Sequence, residues 1–377
     1  MLIDTLRYNV DGWALINREI NSSQDASAVF LFGDSDVLRT KESFDALRQL
    51  YPNAHIVGAS SSGNILKAEI STDPVVAVAV HLKNGSIRIS KADISSGHDI
   101  ETLSLEMVNQ LSQDDLKHVF VMSDGLNVNG SELIRGLNRA EGSFTISGGM
   151  AGDGDRFQET WIVADEPARQ NMIVAVGFYG EGLTISTGCY AGWSAFGPYR
   201  LVTKSSGNVL FELDGQPALK LYKEYLGEFA DGLPLSGMRF PLSIKSDGEA
   251  DEVIRTLLAI DEDQESITFA GDIPEGYTAR LMKPDLDILI DGAGIAAKDI
   301  VQVKDRRGLG LIVSCVGRRV VMHDLIEEEL EIIDRVLGKD VQLAGFYSYG
   351  EIAPFRNEPA NCRLHNQTMT LTTLYED

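Results

Sequence analysis

The chain has 377 residues, enough to bury more than one core, so two domains is the natural expectation. Apolar residues make up 44 % and charged residues 24 %, the balance of a globular protein, and a net charge of −23 creates a field that repels nucleic acid and anionic membranes. No basic segment with an apolar core opens the sequence, its most apolar run (Pro74 to Val80) falls far short of the roughly 20 residues that cross a bilayer, and three scattered cysteines form no disulfide or zinc pattern, so a cytoplasmic location is expected.

In chain order, VFLFGDSD (from Val29) reads as a short buried strand. TKESFDALRQLY follows, placing Phe44, Leu47 and Tyr51 on one helical face with Thr40 as the expected N-cap. HIVGASSSGNI (from His55) then reads as a second strand running into a glycine turn, and VVAVAVHL and SIRIS as further strands. The plan repeats. HVFVMSDG (from His118) precedes a helix whose Asn129 and Glu132 have capping-box spacing ahead of Leu133, Ile134 and Leu137, and FTISGGMAGDG brings the second glycine turn. MIVAVGFYG and LTISTG are again strand-like. KSSGNVLFELDGQPA (from Lys204) is polar and turn-rich and leads to a helix beginning around Pro217. The third copy runs from LGLIVSCVGRR (from Leu309) through a helix with Asp324 and Glu327 at capping-box spacing and Gly338 at its end. It continues into QLAGFYSYGEI and the strand-like MTLTTL. The expected fold is therefore α/β, with two domains (1–208 and 209–377) and mixed sheets built from repeated strand–helix–strand units.

Glycine turns after strands can present backbone N–H groups to an anion, but neither GASSSG nor GGMAGDG carries the lysine of a P-loop or a dinucleotide-binding pattern. Taken singly, each turn is equally a place where only glycine fits. Three turns at equivalent repeat positions should gather at one side of the sheets, where ligands bind. GASSSG, GGMAGDG, FYSYGEI and LHNQ are accordingly expected on one cavity between the domains. The candidate ligand-binding residues are Gly58, Ser60, Ser61, Gly148, Gly149, Gly152, Arg318, Phe346, Tyr347, Tyr349, Glu351, His365 and Asn366. Core packing accounts for most aromatics, here and in YAGWSAFGPYR, while a flat apolar ligand is the functional alternative. Glu351 is expected to accept backbone N–H bonds or pair with an arginine such as Arg318, organising the pocket. Cys315 ends an apolar strand and reads as a small buried hydrophobe; Arg318 and Arg319 could lower its pKa, which keeps open a hydrolase or transferase using Cys315 or Glu351. Six scattered histidines give no zinc spacing, whereas haem needs one axial ligand only.

IVGASSSGNI and SGGMAGDGDRF in the first half, with LYKEYLGE, RTLLAID, SITFAGDIPEG, VSCVGRR, EEELEII, AGFYSYGEIAP and LHNQTMTLT in the second, resemble the FIST family of intracellular signal-transduction sensors from about Ala28 to the end. The resemblance implies a ligand-binding sensory module and no enzyme. A free-standing protein of this kind is similar to NosP-type bacterial haem proteins, which sense nitric oxide and regulate a separate histidine kinase or cyclic-di-GMP enzyme. The expected cofactor on that reading is haem, and the expected partners are a small-molecule ligand and that separate enzyme, with a homodimer left open. Binding of an amino acid or another small metabolite without haem is the alternative. His365, between Arg363 and the Asn366–Gln367 pair, is the first candidate for the axial ligand, and His323, just before Asp324, is the second. A buried, hydrogen-bonded His365 without a metal is the competing reading. His81, His98 and His118 are weaker candidates.

Overall fold

The fold is that of a computed structural model, which describes residues 1–97, 99–112, 114–247, 252–301, 303, 306–355 and 358–377. His98 lies outside the described residues. The three strand–helix–strand units are present as three parallel strand pairs: Ala28–Gly33 with His55–Ser60, Leu116–Ser123 with Thr145–Met150, and Gly308–Cys315 with Val341–Ser348. The first strand of each pair has an antiparallel neighbour on its other side, respectively Val75–His81, Met172–Tyr179 and Met369–Glu376. Beyond these lie Leu2–Asn9, Ser86–Asp93 and Leu183–Tyr190. The class is α/β with mixed sheets, as the alternation of crossovers and hairpin-like runs predicts.

The strand leaving each glycine turn is exchanged into another repeat. Asn64–Leu66 pairs with the third repeat's Val341–Ser348, Ile162–Ala164 with the first repeat's His55–Ser60, and Gly350–Phe355 with the second repeat's Thr145–Met150. The exchange closes a ring. Ser62 N–H donates to the Tyr347 carbonyl (2.8 Å), Gly152 N–H to Ser60 (2.9 Å) and Tyr349 N–H to Met150 (3.1 Å), so the three turns meet around one pseudo-threefold axis.

Strand alternation explains the packing. Phe30, Phe32, Phe120, Met122, Leu311 and Val313 point inward and form one core shared by the three sheets. The alternate residues Val29 and Leu31, Val119 and Val121, and Ile312 belong to three separate outer clusters, and helices cover these faces. Glu42–Leu50 buries Phe44 and Leu47 on the first repeat, Ile100–Leu111 and Gly130–Leu137 cover the second, and Leu286–Lys298 and Ile326–Leu337 cover the third. Asn129 caps its helix as expected, accepting from Ser131 and Glu132 N–H. Two expected caps are corrected. Thr40 turns back to the Val37 carbonyl and the first helix starts after Lys41; Asp324 sits in a 3-10 turn, and its helix starts after Leu325.

Between Leu183–Tyr190 and Leu286–Lys298 the third repeat carries an inserted antiparallel sheet. It includes Arg200–Ser206, Val209–Leu213, Leu242–Lys245, Leu257–Asp261, Ser266–Phe269 and Thr278–Lys283, packed on the helix Ala218–Leu226. The division expected after residue 208 falls at the turn of the Arg200–Ser206/Val209–Leu213 hairpin, so strands from both sides of it interleave. Arg255 fastens the insert to the ring by donating to the Leu364 carbonyl (3.0 Å). Asp272 adds a second tie by accepting from Arg135 (2.9 Å). No described helix is long and apolar enough to cross a membrane.

Candidate ligand-binding site

The ends of the parallel strands surround the axis, and two neighbouring clefts there enclose cavities. The first, about 390 Å³, lies between the second repeat, the third repeat and the inserted sheet. Its walls are mainly apolar: Leu126, Val128, Met150, Phe157, Leu258, Phe269, Val316, Tyr349 and Leu364. Asp124 shapes the loop on the second-repeat side. Its carboxylate accepts from Leu126 N–H, Asn127 N–H, the Asn127 amide, the Thr160 hydroxyl and Asn171 N–H, all at 2.7–3.0 Å. Tyr349 stacks on Phe157 with 4.5 Å between ring centroids and donates its hydroxyl to the Gly154 carbonyl. From the inserted sheet comes Thr256, 7 % exposed, whose Oγ1 has no hydrogen-bond partner. A buried hydroxyl without a partner is costly unless a ligand or water engages it.

Cys315 lies in the floor of this cavity and its Sγ accepts from Gly317 N–H (3.4 Å). Burial, and then the neighbouring Glu351 carboxylate, push its thiol well above the ordinary range. Glu351 is fully buried and accepts from the Ser348 hydroxyl (2.6 Å), Thr368 N–H (3.1 Å) and the Thr368 hydroxyl (3.0 Å). Burial raises it to about 7, against the lowering effect of those hydrogen bonds. The expected use of Glu351 as an acceptor of backbone N–H is what the geometry shows. Arg318 is not its partner: the guanidinium is fully buried and pairs with Glu329 (2.9 Å), which also accepts from Ser314 and Tyr347 hydroxyls.

The second cavity, about 370 Å³, is polar and more open. It lies between the first repeat and the second, with Asp34, Ser61, Asn64, Asp153, Asp155 and Arg156 among its walls. Arg319 from the third repeat reaches its edge, bonded to the Ser62 carbonyl with its guanidinium 5.9 Å from the Tyr347 ring centroid.

The FIST N domain model matches residues 27–216 and the FIST C domain model residues 218–354. The chain belongs to the FIST family. FIST domains are associated with signal-transduction sensing, and the two models meet close to the division read from the sequence. An uncharacterized protein of Methanocaldococcus jannaschii is 26 % identical over 376 residues, covering 89 % of this chain and 72 % of that protein. Among solved structures, a chorismatase aligns over 95 % of both chains at 8 % identity and a TM-score of 0.37. A cyanuric acid hydrolase from A. caulinodans aligns over 94 % of this chain and 91 % of its own at 8 % identity and the same TM-score of 0.37. At TM-scores this low these likenesses bear on neither fold nor function. Both FIST segments build the apolar cavity: FIST N brings Gly125–Gly130, Met150, Phe157 and Asn208, and FIST C brings Thr256, Ala270, Cys315 and Tyr349.

The expectation of one cavity for four loops is corrected: the FIST turns converge on one axis but serve two cavities. Tyr349 lines the apolar one and Ser61 the polar one. Asn366 stands behind Thr256, accepting its N–H (3.3 Å), and Ser60 holds Trp161 N–H (2.9 Å). Other candidates pack instead. Phe346 stacks on Phe32 at 5.0 Å in the central core, and Tyr347 and Arg318 are held by Glu329. Glycine is required at 58, 148, 149 and 152 by close approach, since a Cβ at Gly58 would lie 2.1 Å from the Leu31 carbonyl and one at Gly152 2.3 Å from Ser62 Oγ. Sequence reading missed Thr256, Asn127 and Phe157. The acidic residue directly after each of the first two parallel strands, in FGDSD and MSDG, was the available signal for the cavity-shaping loops.

His365 does not fit an axial haem ligand in this conformation. It is buried in the strand Glu358–His365, its Nε2 faces the Ala353 carbonyl at 3.1 Å, and burial lowers its pKa to about 4. His323 is exposed beside Arg239 (3.3 Å), and neither cavity has a histidine in its lining. His118, fully buried, lies between the Thr145 and Ser147 hydroxyls. Among the described residues no group of three His, Cys, Asp or Glu side chains is arranged for a metal ion.

Proposed function

We propose that this FIST protein is a cytoplasmic, non-catalytic sensor that binds a small, partly apolar molecule in the cavity between the ring and the inserted sheet. The observation that carries this reading is the unpartnered, buried Thr256 hydroxyl in the wall of a mainly apolar cleft whose sides come from both the ring and the insert. A ligand there offers a flat apolar portion to Tyr349 and Phe157 and one polar atom to Thr256. It adds contacts across a junction also tied by polar bonds, among them those of Arg255, Asp272, Thr256 N–H to Asn366, Trp193 to the Gln367 carbonyl and the Gln367 amide to the Met238 carbonyl (3.1 Å). Binding therefore favours the arrangement with the insert docked, and a separate histidine kinase or cyclic-di-GMP enzyme reads that population. The neutral Cys315 thiol supports binding rather than covalent chemistry. The residues in place favour a metabolite over a haem held by His365, and nitric-oxide sensing through such a haem is not part of this reading.

The test is a thermal-shift screen of small metabolites, with hits measured by calorimetry on the parent protein and on Ala270→Trp, which fills the cavity. A one-to-one hit lost in the folded Ala270→Trp protein is expected. Equal binding to both proteins would refute the assignment.

A further inference from the structure

The polar cleft is the first repeat's counterpart of the apolar cavity, and it differs in one respect. Asp34 and Asp124 occupy the same position, directly after the first parallel strand of their repeats. Asp124 is enclosed by five donors that fold its own loop. Asp34 heads a short helix without capping it through its side chain; it forms no ion pair among the described residues, and its carboxylate interacts with the Asn64 side chain and, at longer range, with Arg156 and Arg319. Beside it is Asn64, 2 % exposed. The Asn64 amide nitrogen is spent on the Asp73 and Pro74 carbonyls (3.0 and 3.2 Å), while its Oδ1 has no partner. The cations of the cleft are already engaged. Arg156 pairs with Asp36 (2.7 Å) and with Asp153, and Arg319 is bonded to the Ser62 carbonyl. Asp155, also in the lining, has no ion pair among the described residues. The groups the cleft offers a ligand are therefore acceptors: the Asp34 carboxylate, the exposed Asp155 carboxylate and the unpartnered amide oxygen of Asn64.

We propose that this cleft is a second binding site, specific for a linear organic polyamine. One primary ammonium donates to Asp34 and the Asn64 oxygen, and the next is drawn to Asp155. An ammonium has three donors and no acceptor, which matches this set, whereas an anion would meet these carboxylates and two arginines whose guanidinium groups are already bonded to Asp36, Asp153 and the Ser62 carbonyl. A cleft of about 370 Å³ open to solvent admits a short chain of methylenes and amines. This site stands apart from the apolar cavity and does not depend on it.

The test is calorimetric titration of the full chain with spermidine at physiological salt, where long-range attraction to the net charge is screened. One saturable site is expected. Asp34→Asn should weaken it at least about tenfold, the scale of one charge-assisted hydrogen bond. Asp231→Asn, which removes the same charge from an exposed position on the insert, should leave it unchanged, as should Ala270→Trp. Asp155→Asn provides an independent loss of affinity should Asp34→Asn fail to fold by circular dichroism. Absence of saturable binding, equal weakening by Asp34→Asn and Asp231→Asn, or full displacement by equimolar magnesium would overturn the proposal.

Discussion

Glu351→Gln isolates a carboxyl that the fold holds against its preference. The side chain is fully buried, no cation pairs with it among the described residues, and burial raises its pKa from 4.5 to about 7. A folded-state pKa above the unfolded value means that the native protein keeps a proton the unfolded chain has released. The associated stability is present below pH 4.5 and is lost as pH rises through 7, a total of about 3 kcal/mol at 1.36 kcal/mol per pH unit of displacement. Glutamine keeps an acceptor for Thr368 and cannot titrate. The parent-minus-variant stability should therefore fall by about 3 kcal/mol between pH 4.5 and 8, while the depressed carboxyls common to both proteins cancel. Urea unfolding followed by tryptophan fluorescence, at half-unit pH steps and with m-values compared, measures it. Parallel pH profiles for the two proteins would show that Glu351 is an ordinary ionised carboxylate and that the burial argument fails.

Glu329→Ala leaves Arg318 charged and buried, so a loss of about 3–5 kcal/mol is expected, and Arg318→Met combined with Glu329→Leu should recover part of it by chemical denaturation. Thr256→Val removes a buried hydroxyl that has no partner, so stability should hold or rise by up to about 1 kcal/mol while affinity for the cavity ligand falls about tenfold by calorimetry. Haem added to the protein should give no Soret band that depends on His365. A ferric Soret maximum that moves in a folded His365→Ala protein would contradict the assignment of that imidazole to backbone hydrogen bonding.

The repeats were legible in the sequence because buried strands, helix stripes and glycine turns each have a period or composition of their own. Val29 to Phe32 and Val119 to Met122 alternate between a shared core and a helix-covered face, and both sides are apolar, which is why the runs are continuous. The strand exchange was not legible. Nothing local in Asn64–Leu66 or Ile162–Ala164 says which sheet will take it, since any open strand edge offers the same hydrogen bonds. For the same reason the hairpin around Gly207 looked like a linker. Site residues were harder still. Phe346 has the same chemistry whether it walls a ligand or a core, and Gly148 is set by the Val121 carbonyl, 1.9 Å from where its Cβ would stand. Thr256 carries no motif, and its meaning comes only from the cavity it faces.

The most direct test of the ligand-binding account is a crystal structure of the protein with a screened ligand. The account predicts density for that ligand inside the cavity between the ring and the inserted sheet, with a polar atom within hydrogen-bond distance of Thr256 Oγ1 and an apolar face against Tyr349. Ligand density elsewhere on the molecule, with this cavity holding only water, would contradict it.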